Sequence, residues 1–142
     1  MTEDKFKELI DKYGFKRYAD IVDSNDGRAK FDNVEPSCTG FGYVYLWVEE
    51  SNNDVKVVYV GKAGKSMEKR CDQHRGGFNG GSKTGERHSK NIVNGIKEGK
   101  KYHVYARKSE MREILGEKDI SMCCIEEIAL IKKLNPPWNS MK

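Results

Sequence analysis

YVYLWVEESNNDVKVVYVG, residues 43–61, is the stretch whose reading decides the fold. Tyr43–Val48 and Val55–Val60 are rich in aromatic and β-branched residues, which suit a pleated, half-buried surface. The polar run Glu49-Glu50-Ser51-Asn52-Asn53-Asp54 between them predicts a β-hairpin. Gly61-Lys62-Ala63-Gly64-Lys65 ends the second strand, and Ser66 can cap a helix running to about Arg75. On that helix Arg70 and His74 stand four apart and share a face.

Upstream, residues 3–13 read as a short amphipathic helix, with Phe6, Leu9, Ile10 and Tyr13 at helical spacing and Gly14 as its stop. Residues 23–28 read as a turn, compatible with a small strand on either side, and Pro36–Gly40 punctuates the entry to the main domain. Downstream, GGFNGGSKTG (76–85) reads as a mobile loop. A helix over 86–98, a third strand over 102–107 and a last helix near 121–133 follow, the last stopped by Asn135-Pro136-Pro137. The order β-β-α-α-β-α predicts an α+β fold. Residues 41–142 would form a small three-stranded antiparallel sheet flanked by helices, and residues 1–40 a short N-terminal extension.

A chain of 142 residues is long enough for one domain with a core that needs no staples. Hydrophobic residues make up 37% and charged residues 34%, which suits a protein with a large wet surface. No apolar run approaches the roughly 18 residues of a membrane span. The N-terminus also lacks a basic region followed by an apolar stretch. The expectation is a cytoplasmic protein with no membrane partner. Cys38, Cys71, Cys123 and Cys124 contain no Cys-x-x-Cys pair, which favours spectator thiols in a reducing compartment over a zinc site.

The net charge of +4 conceals an asymmetry: residues 56–108 carry fourteen Lys/Arg against four Asp/Glu, and the rest of the chain is net acidic. A basic middle framed by acidic ends is the footprint of a face that binds a polyanion, although a solvated mixed surface gives the same count. Cleavage of a phosphodiester needs an activated water, countercharge on the phosphoryl oxygens and help for the leaving group. Tyr45 or Tyr59 could orient or deprotonate water if nearby cations lower the phenol's usual value near 10. Arg70 offers a planar fork to phosphate. His74 could bond a phosphate oxygen or assist proton transfer. Lys62, Lys65, Arg75, Lys83, Arg87, His88 and Lys90 are the candidate nucleic-acid contacts. Glu126 sits on a helix rich in core residues, where a carboxylate is costly unless paired or metal-bound, and Glu127 is its immediate competitor.

The order Tyr43-Val44-Tyr45, Tyr59-Val60-Gly61, Arg70 with His74, Glu126 and Asn139 resembles the GIY-YIG nuclease family. Within it the chain is similar to a phage endonuclease type, through the segment 97–107 and the tail 134–139, and weakly into 13–33. Tyr43 stands where the family's first glycine would. The interval from Gly61 to Arg70 is one residue longer than usual, so Arg70 rather than Lys69 is taken as the family's arginine. The resemblance implies Tyr45 as base with Tyr59 lining the site. It implies Glu126, nine residues ahead of Asn135, as the ligand of Mg²⁺ (or Mn²⁺), and Gly61 and Asn139 as supports. His88 resembles a position that some restriction-type members use near the base.

The expected function is a metal-dependent endonuclease that nicks or cuts double-stranded DNA, compatible with a homo-oligomer that places two sites on one duplex. The rival is a non-catalytic nucleic-acid-binding module on the same fold, which would need the basic face but not the carboxylate.

Overall fold

The computed structural model describes residues 1–140. Its elements, in chain order, are α1 (Glu3–Tyr13), β1 (Lys16–Asp23), β2 (Ala29–Asp32), β3 (Tyr43–Ser51), β4 (Asp54–Ala63), α2 (Met67–Gly76), α3 (Lys83–Lys97), β5 (Lys101–Lys108), β6 (Met111–Ile114), β7 (Glu117–Ser121) and α4 (Cys123–Leu134). Five strands form one antiparallel sheet in the order β2-β1-β5-β3-β4, and β6 with β7 forms a separate hairpin. The three-stranded expectation is therefore corrected. Residues 1–40, expected as an extension, supply two strands, one of which (β1) lies between β2 and β5. The last two residues of the expected 41–142 domain lie outside the described residues.

The interior strand β3, between β5 and β4, is buried on both faces, which is why 43–48 reads as an almost unbroken apolar run. Tyr43, Tyr45 and Trp47 pack with Met67, Cys71, Phe78 and Ile92, beneath α2 and α3. Val44, Leu46 and Val48 pack with Phe6, Ile10, Cys123 and Leu130, beneath α1 and α4. In β4 the register shifts by one residue, so that Trp47 opposes Tyr59 while Val48 opposes Val57. This bulge turns Tyr59 to the same face as Tyr45 and Trp47, where strict alternation from Val55 and Val57 would have turned it away.

The caps follow the sequence. Thr2 and Ser66 accept hydrogen bonds from Lys5 N and Lys69 N, and Gly14 and Asn135 close α1 and α4 in the left-handed region. The loop read as mobile is a short irregular turn, Gly77–Gly81, pinned by Phe78, which is buried against Phe31 and Trp47. α3 begins three residues before the expected start. Ser82 caps it, and Gly85 fits inside it because a Cβ there would come within 2.4 Å of the Gly77 backbone. Among the described residues no helix is long and apolar enough to cross a membrane.

Candidate active site

Tyr45, on β3, faces Gly61 directly across the sheet. A Cβ at Gly61 would lie 2.3 Å from the Tyr45 ring and hydroxyl. The glycine is thus a requirement of the tyrosine's position. Gly61→Ala is expected to displace Tyr45 and cost about 1–3 kcal/mol, read as a lower midpoint in urea denaturation.

With the ring laid over Gly61, the Tyr45 hydroxyl reaches α2. It lies 2.6 Å from His74 Nε2 and accepts a hydrogen bond from Arg70 Nε at 3.0 Å. Arg70 Nη1 donates to Gln73 Oε1 at 3.0 Å. The guanidinium is therefore held at two points, and its remaining N–H groups have no hydrogen-bond partner among the described residues. Burial, reinforced by Arg70 and His88, pushes the His74 pKa down to about 3, so the ring is neutral and can accept a hydrogen bond from the Tyr45 hydroxyl. Burial first, then Tyr59, raises the Tyr45 phenol well above its usual value of 10, against the pull of Arg70. At rest the pair is a neutral phenol donating to a neutral imidazole.

The neutral imidazole has a pH signature. The unfolded chain binds a proton at His74 below its ordinary value of 6.5, and the folded chain does not until about 3. Stability is complete above 6.5 and is lost as the pH falls, with a limiting slope of about 1.4 kcal/mol per pH unit per proton. His88, also held low by burial, acts in the same direction. His74→Gln keeps an acceptor for Tyr45 and is expected to flatten this loss in denaturation curves at pH 7, 5 and 4.

Two cavities meet at Arg70, and a third adjoins them through Tyr59, Thr84, His88 and Glu127. One, of about 320 Å³, is lined by Lys62, Lys65, Ser66, Lys69, Arg70, Gln73 and Glu127. A second, of about 150 Å³, lies between Tyr59, Arg70, His74 and His88. The third, of about 490 Å³, extends from Tyr59, His88 and Glu127 toward Trp138.

The carboxylate on these walls is Glu127, not Glu126. Glu126 Oε2 accepts from the backbone N of Glu110 at 2.9 Å and lies 3.4 Å from Arg107 Nη2, in a separate cavity with Tyr13 and Lys133. Half-burial raises the Glu127 pKa, only partly countered by Lys62 and Arg70, and it joins no ion pair among the described residues. A carboxylate in that condition gains from a cation, whereas Glu126 already has one in Arg107. No cluster of three or more His, Cys, Asp or Glu stands ready for a metal among the described residues. One carboxylate nonetheless fits Mg²⁺, which keeps most of its waters and takes oxygens from a phosphate.

Tyr45 does not line any of the three cavities, whereas Tyr59 lines two of them. Of the expected nucleic-acid contacts, Lys62 and Lys65 lie on the cationic wall. Lys83, Arg87 and Lys90 are exposed on α3, and Arg75 is engaged with Asp72 at 2.5 Å. His88 is not a surface contact: it is 3% exposed and packs against Tyr59, Trp47 and Trp138. Asn139 braces the sheet edge, its side-chain oxygen accepting from Val60 N and its nitrogen donating to Val60 O, each at 2.9 Å. Lys69 and Gln73 were missed; their i−1 and i+3 spacing around Arg70 was the available signal.

The sheet with its Tyr45–Arg70–His74 contact, and its similarity to the phage T4 endonuclease in sequence and structure, place this chain in the GIY-YIG nuclease family. It is 29% identical over 137 residues to endonuclease II of Enterobacteria phage T4, covering 94% of this chain and 95% of that protein. The solved structure of a bacteriophage T4 EndoII mutant matches with a TM-score of 0.68 at 30% identity, over 94% of this chain and 97% of that one. Restriction endonuclease HPY188I in complex with product DNA gives 0.49 at 17% identity, over 95% and 82% of the two chains. No family model matches the chain.

Proposed function

We propose that this protein is an intracellular, metal-dependent endonuclease that hydrolyses phosphodiester bonds of double-stranded DNA. The observation that carries the reading is the cavity in which a doubly anchored Arg70 and three lysines face one carboxylate, Glu127, that joins no ion pair among the described residues. Cations bind the phosphate there, and the carboxylate leaves room for a bound metal.

Arg70 holds the non-bridging oxygens of the scissile phosphate and stabilises charge that builds on them, with its fork set by Tyr45 and Gln73. Lys62, Lys65 and Lys69 add countercharge along the strand. Mg²⁺ or Mn²⁺ held by Glu127 would supply Lewis-acid countercharge to the phosphate and the departing 3′-oxygen. Tyr59, at the wall shared by two cavities, orients the attacking water next to the Arg70 charge and, after releasing its own phenolic proton to solvent, takes up the water's proton as the P–O bond forms. Tyr45 fixes Arg70 and, through its bond to His74 Nε2, holds that neutral ring in place. The exposed lysines and arginines of α3 track the backbone, so binding weakens steeply with salt.

Conversion of supercoiled plasmid to nicked or linear forms tests this. Cleavage with Mg²⁺ that stops in EDTA is the expected result. Salt-sensitive DNA binding that is indifferent to EDTA, without cleavage, would replace it with the binding module.

A further inference from the structure

We propose that the cavity between α4 and the C-terminal segment receives one unstacked nucleobase of the bound strand, beside the phosphate held at Arg70. This rests on the nuclease reading and adds a base subsite to it. The cavity measures about 490 Å³ and is lined by Tyr59, His88, Ile128, Ile131, Trp138 and Asn139, among others. That volume falls within the roughly 300–1,000 Å³ typical of small-molecule sites.

Its walls suit a flat aromatic ring. The His88 and Trp138 rings lie nearly parallel, 21° apart with centroids at 5.9 Å, and the Tyr59 centroid is 5.1 Å from that of His88. Ile128 and Ile131 of α4 add apolar lining, and Ile128 is 65% exposed. Polar groups are few. Asn139 spends its oxygen and one N–H on Val60, which leaves a second amide N–H for a base edge, and Thr84 adds a hydroxyl. Stacking faces with a few edge donors are how unpaired bases are held.

Position and charge select the occupant. Tyr59, Thr84 and His88 also line the small cavity at Arg70 and His74, and Glu127 is shared with the cationic cavity. A strand whose phosphate sits on Arg70 thus brings its neighbouring nucleotide to this opening. The surrounding cations, Lys62, Lys65, Lys69, Arg70 and Lys132, against the single Glu127, favour a polyanion over an apolar peptide segment.

A base must leave the stack to enter, and that is easiest where it is already unpaired. Equilibrium affinities in EDTA, where hydrolysis is not needed, therefore test the site. Three duplexes of one sequence are compared: fully paired, with a one-nucleotide bulge, and with the bulge made abasic. The bulged duplex is expected to bind about tenfold more tightly than the other two. Ile128→Trp, which fills the mouth from an exposed position, should bring that ratio to about one, with thermal melting confirming its fold. Equal affinity for the base-bearing and abasic bulges, or a preference that survives Ile128→Trp, overturns the subsite. Failure of the nuclease reading appears separately, as the absence of plasmid cleavage with Mg²⁺.

Discussion

Glu127→Ala is expected to lower Mg²⁺-dependent plasmid nicking by about 10³-fold or more, whereas Glu126→Ala retains it. Removing a single charge-stabilising group from a site of this kind costs about 10²–10³ in turnover, and Glu127 is the one carboxylate on the cationic cavity. Loss of the metal as well adds to that figure. Glu126→Ala acts on stability instead. It strips the partner from Arg107 and from the Glu110 backbone N–H, leaving donors short of an acceptor at a cost of about 1–3 kcal/mol. The pair is read by two measurements on each variant, initial nicking rate and urea midpoint. A slow, fully stable Glu126→Ala beside an active Glu127→Ala would return the metal to Glu126 and refute the assignment.

The two tyrosines should separate in the same way. Tyr59→Phe is expected to lower cleavage by about 10²-fold, the lower end for loss of a proton-transfer group, with an unchanged melting temperature. Tyr45→Phe is expected to lose both activity and stability. Its hydroxyl is buried and bonds both His74 and Arg70, so removing it leaves two polar partners unmet and frees the guanidinium from one of its two anchors. Rates and melting curves for both variants give four numbers. An inactive Tyr45→Phe with unaltered melting, beside an active Tyr59→Phe, would make Tyr45 the proton acceptor.

Much of this was legible in the chain because the controlling interactions are local. The hairpin at 43–61, the Ser66 cap and the placement of Arg70 and His74 one turn apart depend on neighbours within a few residues. The need for Gly61 also followed from the motif, and the register of Tyr45 opposite it supplies the cause. Residues 76–85 misled because glycine reads as freedom. Here Gly77 and Gly85 are small so that two backbones can touch, and the buried Phe78 holds the turn.

What the sequence by itself determined is the set of groups and their order: strand, strand, arginine helix, carboxylate helix, asparagine tail. What only the tertiary structure decided is which of them meet. Strand β1 joins β5 across more than eighty residues of chain, a pairing that no local pattern encodes. The bulge in β4 turns Tyr59 toward the cavities. On α4, at roughly 100° per residue, Glu126 and Glu127 lie about 50° to either side of the line through the buried Cys123 and Leu130. Both glutamates are equally compatible with that buried stripe. The choice falls to the neighbours on each flank: Arg107 of β5 engages Glu126, while Lys62 and Arg70 stand on the side of Glu127.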